Sequence, residues 1–402
     1  MFKSKYMPTA WGLYLNYFVH GMGAIIISQN MDFLAEQWNT DSVGVASVIS
    51  MIGIGRLSVL FVSGKLSDMF GRRLFVNLGI VTYIIALVGV LFSPSVGIGI
   101  IFGTLFGVAN SFLDAGTYPA LTESFPEDAA RANTALVVFI RVGQLLLPLV
   151  ISFMVATGIW FGWSFLFAAA LLLMSLLYLM KCPFPNDEGD KSKEEVKVEI
   201  KEDVSATVEG SSIFSIEGIS FMLYGFIAQS TFMIVQQWMH RYGVNVAGMS
   251  ELSARALVSY FSAGSIAAVF VTMMLTKKFK PVDIMCLYTF LSVIATFMIW
   301  AFPTPFITTF GAFMVGFAAA GGVLQLGLSV MTEMIPVGKG MITGIFFSLG
   351  SVASFVIPLI LAYIEQTDMR NIMLFNTGIA VIGFVLALII AARYRVKFPE
   401  KV

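Results

Sequence analysis

Charge is what this chain has least of. Asp, Glu, Lys and Arg make up 12% of its 402 residues and balance to a net charge of zero, where a soluble domain carries about 25%. With no basic surplus there is no electrostatic footprint for nucleic acid. Cysteine is nearly absent too: Cys182 and Cys286 lie far apart in sequence, which excludes a disulfide framework. Histidine occurs twice, at His20 and His240. Two imidazoles and two thiols scattered in this way build no recognisable metal centre, and neither a metal nor a cofactor is expected. The glycine-rich stretches GTLFG (103–107) and AAAGGV (318–323) sit inside apolar runs, so they read as packing features and not as phosphate loops. An enzyme is therefore not expected.

What is present is oil. Apolar residues reach 58%, mean hydropathy is +0.87, and the runs are long: residues 74–103 contain no charge and 51–62 only Arg56. A bilayer core about 30 Å thick needs about 20 helical residues, and lipid leaves no backbone group unpaired. These runs are too long, and alternate too little, for barrel strands. The chain reads as an all-α polytopic membrane protein. Turn signals and charges divide it into twelve spans: 9–31, 41–63, 74–93, 97–121, 132–156, 162–181, 213–240, 252–275, 283–302, 304–334, 340–364 and 371–392. Lys3 and Lys5 precede a long apolar run with no small-residue cleavage site after it, so the first span is expected to stay uncleaved.

The organisation expected is a six-helix bundle over 1–181, a charged linker over 182–212, a second bundle over 213–392 and a tail over 393–402. The linker holds nine acids and four bases and reads as a solvated connector. The halves look related: Thr122, Glu123 and Pro126 recur as Thr332, Glu333 and Pro336, Pro148 as Pro358, and Tyr14 as Tyr224, all shifted by 210. Six spans per half give both halves the same orientation, a parallel repeat. Nineteen of the 24 basic residues fall on the face that holds the chain ends, the linker and the loop at 64–73. The positive-inside rule makes that face cytoplasmic.

The stretch GKLSDMFGRR (64–73) sits between the second and third spans. Lys65, Arg72 and Arg73 would suffice to hold a loop inside. They do not explain Asp68, nor Gly64 and Gly71, which suit a tight turn and close helix approach. The stretch matches at every specified position the loop signature G-x-L-[SA]-D-x-x-G-R-[RK] of the major facilitator superfamily, which the whole chain resembles in span count, topology and repeat. The resemblance implies two six-helix bundles (the MFS fold) rocking about a central site, with spans one, four, seven and ten around the cavity. It also implies that Asp68, Arg72 and Arg73 latch the cytoplasmic side, with Glu123 and Arg131 as expected partners of Arg72 and Asp68. The second-half counterpart, MLTKKFKPVD (274–283), keeps bases but has Lys278 in place of the aspartate and neither glycine. The latch is thus expected to be asymmetric.

Ionisable groups at membrane depth are costly and mark function by default. They are Arg56 in span two, Asp114 in span four and Arg141 in span five. Gly103, Gly107, Asn110, Asp114 and Tyr118 share one helix face. Asp114 suits a proton carrier whose affinity an arginine sets; a fixed ion pair with Arg56 or Arg141 is the alternative. Asn16 and His20 lie four apart in span one; His20 suits a ligand or a packing role. Gln229 and Gln236 in span seven and Gln325 in span ten suit either a hydroxylated solute or interhelical hydrogen bonds. The serines of spans eight and eleven read as packing.

Ionisable groups in one half and amides in the other point to a proton-coupled carrier of a small polar organic solute. Two arginines against one aspartate favour a sugar acid or another hydroxy-carboxylate over a cation. The alternative is a drug or metabolite efflux antiporter with an adaptable Phe- and Met-rich pocket. Against that reading, span five (RVGQLLLPLV) lacks the glycine-rich, Gly-Pro motif that the resemblance implies for drug exporters, and span four (IFGTLFG) lacks their early arginine. No candidate selectivity filter argues for a channel. The partners expected are a small molecule, protons and the lipid bilayer. A monomer in the plasma membrane, with both termini cytoplasmic, completes the expectation.

Overall fold

The structure, a computed structural model, describes residues 4–185, 216–321, 323–335 and 339–398. Most of the 182–212 linker, residues 399–402 of the tail, Gly322, Pro336 and the side chains of Gln325 and Thr332 lie outside the described residues.

Every regular element among the described residues is helical. The first set runs α1 Met7–Gln29, α2 Met31–Gln37, α3 Ser42–Phe70, α4 Arg72–Phe92, α5 Val96–Ser124, α6 Ala129–Ala156 and α7 Trp163–Leu179. The second runs α8 Ile216–Asn245, α9 Glu251–Leu275, α10 Pro281–Ala301, α11 Pro305–Val315, α12 Val323–Met334, α13 Lys339–Thr367 and α14 Asn371–Lys397. Ten are long and apolar enough to cross a membrane. The sixth span, α7, has 17 residues, about 26 Å at 1.5 Å per residue. The tenth is broken: α11 passes through a π-helical turn, Gly316–Ala320, before α12 resumes. The short helix α2 is not among the twelve expected spans.

Local chemistry explains the boundaries. Asp41 caps α3 by accepting from the Val43 and Gly44 amides, a standard N-cap arrangement. Pro281 and Pro305 open α10 and α11, where a missing N–H costs nothing. Gly71 separates α3 from α4 at φ +96°, a conformation that only glycine adopts readily. The expectation for Gly64 fails: a Cβ there would meet nothing within 4 Å, so no close approach requires it.

The repeat is visible in the helices themselves. α6 begins at Ala129 and α13 at Lys339, and α5 ends at Ser124 and α12 at Met334; both pairs are 210 apart. Pro148 and Pro358 both lie inside their helices. Within the first half α3 lies along α5, and between the halves α3 packs on α13 and α6 on α9. Glycines permit the closest of these contacts. A Cβ at Gly107 of α5 would overlap the Ile52 carbonyl and the Arg56 amide of α3, and one at Gly55 would overlap the Thr104 carbonyl. Large apolar side chains such as Ile101, Phe153, Phe306 and Tyr363 point outward, as lipid-facing surface should.

Candidate functional site

The α3–α5 contact places Arg56 beside Asp114. The Arg56 guanidinium meets the Asp114 carboxylate at 2.9 Å, and Ser111 donates to the Arg56 carbonyl at 2.8 Å. From α1, Tyr17 donates its hydroxyl to the other Asp114 oxygen at 2.5 Å, and Tyr118 stands edge-on to Tyr17 with ring centres 5.7 Å apart. Of the two expected partners for Asp114, the structure therefore selects Arg56. Arg141 lies elsewhere in the same cavity, held by neutral acceptors. It donates to Gln144 Oε1 at 2.8 Å and to the Ala320 carbonyl at 3.3 Å, with Phe232 and Phe261 5.6 and 5.9 Å away. Its Nε has no partner.

These groups line a cavity of about 230 Å³ between the halves. The first half contributes Tyr17, His20, Arg56, Asn110, Asp114 and Arg141; the second contributes Gln229, Phe232, Met233, Gln236 and Gln237 from α8 and Ser354 from α13. His20 and Asn110 face one another on the cavity wall, and Gln237 Oε1 is buried without a partner, so these groups can turn to a polar solute. Asn16 does not join them. It is fully buried, both its amide atoms lack partners and it does not line the cavity. The side chain of Gln325 lies outside the described residues. Sequence reasoning missed Tyr17 as the second partner of Asp114, although its three-residue spacing from His20 put both on one face of α1.

At the end bearing residues 64–73, Arg72 meets Asp68 at 2.5 Å and Glu123 at 3.0 Å. Arg73 donates to the Leu179, Met180 and Cys182 carbonyls at 3.3, 2.7 and 3.2 Å, where the dipole at the end of α7 favours a cation. These contacts stitch α3, α4, α5 and α7 together inside the first half. The expected Arg131–Asp68 pair does not form: Arg131 opens α6 and turns back to Asp128, three residues away, at 3.0 Å. The local pair is within reach without ordering a long side chain across the loop.

The opposite end carries ties between the halves that nothing in the sequence announced. Arg241 on α8, steadied within the second half by Glu365 of α13 at 2.5 Å, pairs across with Asp32 of α2. Gln366 donates to Asp41 at 3.1 Å, and Arg255 of α9 donates to the Gln29 carbonyl at 2.6 Å. His240 meets Glu251 at 2.8 Å beside them. At mid-depth Ser259 donates across to the Leu145 carbonyl at 2.7 Å.

Comparison with known proteins agrees with this architecture. Residues 13–281 match the family model described as Major Facilitator Superfamily. The chain is 46% identical over 396 residues to the inner membrane transport protein YdiM of Escherichia coli (strain K12), covering 98% of this chain and 96% of that one. It is 35% identical over 394 residues to the inner membrane transport protein YdiN of the same organism, covering 98% and 92%. The crystal structure of a D-xylose-proton symporter matches with a TM-score of 0.78 at 14% identity, covering 95% of this chain and 96% of that one. At that identity the likeness is one of fold.

Proposed function

The chain belongs to the major facilitator superfamily of membrane transporters, and from that premise we propose that it carries a small polar organic solute, a sugar acid or another hydroxy-carboxylate, coupled to protons. The observation that carries this reading is the Tyr17–Asp114–Arg56 cluster on the wall of the central cavity. A proton placed on Asp114 would neutralise the carboxylate, weaken its contacts with Arg56 and Tyr17 and free the Arg56 guanidinium. The alternating occupancy of Asp114 by Arg56 and by a proton is the coupling step. Asn110, His20 and the amides of α8 supply hydrogen bonds for hydroxyl groups. A cavity of about 230 Å³ with several polar groups on its wall suits a small polar solute.

In this reading the chain divides as its sequence suggests, into bundles over 1–181 and 213–392, and works as a monomer in the inner membrane with both ends cytoplasmic. The motif end then faces the cytoplasm, and the Asp32–Arg241–Glu365 ties close the outer side. The Asp68–Arg72–Glu123 cluster is the first-half face of a latch that engages when the halves rock the other way. Uptake into proteoliposomes tests the whole reading. An inward proton gradient should drive accumulation of a hydroxy-carboxylate from a panel of gluconate, glucuronate and lactate, and a protonophore should stop it. Uptake indifferent to the gradient, or gradient-driven extrusion of lipophilic cations, would overturn it.

A further inference from the structure

Arg56 and Asp114 neutralise one another, which leaves Arg141 as the unbalanced charge among the described groups that line the cavity. It is 8% exposed, and a buried cation is costly unless an anion meets it. Its present partners are neutral and incomplete. A guanidinium carries five N–H donors; here one nitrogen holds Gln144, another reaches Ala320 at a long 3.3 Å, and Nε holds nothing. The weakly used edge is the Nε–Nη2 edge, whose two parallel N–H groups match the two oxygens of a carboxylate. Phe232 and Phe261 flank the guanidinium and limit water around it, so an ion pair formed there is stronger than one in solvent.

The Ala320 carbonyl has a second meaning. It ends the π turn, where the tenth span breaks, and it belongs to the second half while Arg141 belongs to the first. The contact is therefore a tie between the halves at the level of the cavity.

We infer that Arg141 anchors the carboxylate of a hydroxylated monoanion through its Nε–Nη2 edge, exchanging the Ala320 carbonyl for the ligand and so releasing this tie. The inference rests on the reading of this cavity as the solute site. It assigns the anion to Arg141 and leaves the proton to Asp114, so one residue selects the cargo and the other couples it.

The test is binding in the absence of any gradient, so that its failure is separable from a failure of proton coupling. Hydroxy-monocarboxylates of three to seven carbons are each compared with their primary amide by thermal unfolding of the purified protein. At least one carboxylate should raise Tm where its amide does not. Arg141→Gln should weaken that ligand about thirtyfold or more, with Arg141→Lys between the two. No stabilising carboxylate, equal stabilisation by the amide, or undiminished binding to Arg141→Gln would overturn the anchor. The tie is read by spin labels at Lys65→Cys and Lys278→Cys, with Cys182 and Cys286 replaced by serine. Ligand should shift the distance distribution of the otherwise wild-type protein, and Arg141→Gln should shift it the same way without ligand. Superimposable distributions with and without the arginine would overturn the release.

Discussion

Two arginines face the same cavity, and their surroundings differ. Arg56 meets a carboxylate at 2.9 Å and is half-buried. Arg141 meets only an amide and a backbone carbonyl and is 8% exposed. The more exposed arginine is the one that is paired, the reverse of what stability alone would ask. A fold built for stability would put the carboxylate against the deeper cation. Leaving the deeper cation without an anion makes sense if a mobile anion visits it, and pairing the shallower one makes sense if the pair is meant to be broken by a proton.

The two sites should respond differently to mutation, and the largest effect is expected at the pair. Arg56→Gln strands Asp114 and should destabilise the protein by about 2–3 kcal/mol, below the cost of breaking a fully buried pair because both side chains are partly exposed. Thermal unfolding measures it, and adding Asp114→Asn should restore most of the loss. Tyr17→Phe removes one hydrogen bond to the charged carboxylate and should cost about 1–2 kcal/mol in the same assay. Arg141→Gln should change unliganded stability by less than about 1 kcal/mol, since it strands two neutral acceptors but relieves a desolvated cation. If Arg141→Gln proved as damaging as Arg56→Gln, the contrast between the two arginines would collapse.

Much of this was legible in the chain. Length and apolarity of the runs located eleven of the spans, because a bilayer requires continuous helices, although α3, α8 and α14 run on to Phe70, Asn245 and Lys397, past the ends expected at 63, 240 and 392. The run of the tenth span predicts one helix, although a π turn interrupts it at Gly316–Ala320; such a turn leaves no mark beyond the Ala-Ala-Ala-Gly-Gly run, which also suits simple packing. Asp114 and Arg56 stood out because membrane depth makes charge conspicuous. Which arginine Asp114 holds was not legible: it depends on the glycine contacts at Gly55 and Gly107 that set the spacing of α3 and α5. Asn16 was indistinguishable from a cavity residue because helical spacing relates it to His20 but does not say which neighbour is the cavity. The ties of Arg241, at the end away from residues 64–73, were invisible for a different reason. Asp32, Arg241 and Glu365 are far apart in sequence, and surface charge carries no periodic signal that would pair them.

The division of labour is tested most directly by counting protons that move with solute. In proteoliposomes loaded with a pH-sensitive dye, the wild type should move protons whenever a hydroxy-carboxylate enters. Asp114→Asn should still exchange labelled for unlabelled solute while moving no protons with it. Proton movement that persists with solute entry in Asp114→Asn would contradict the account.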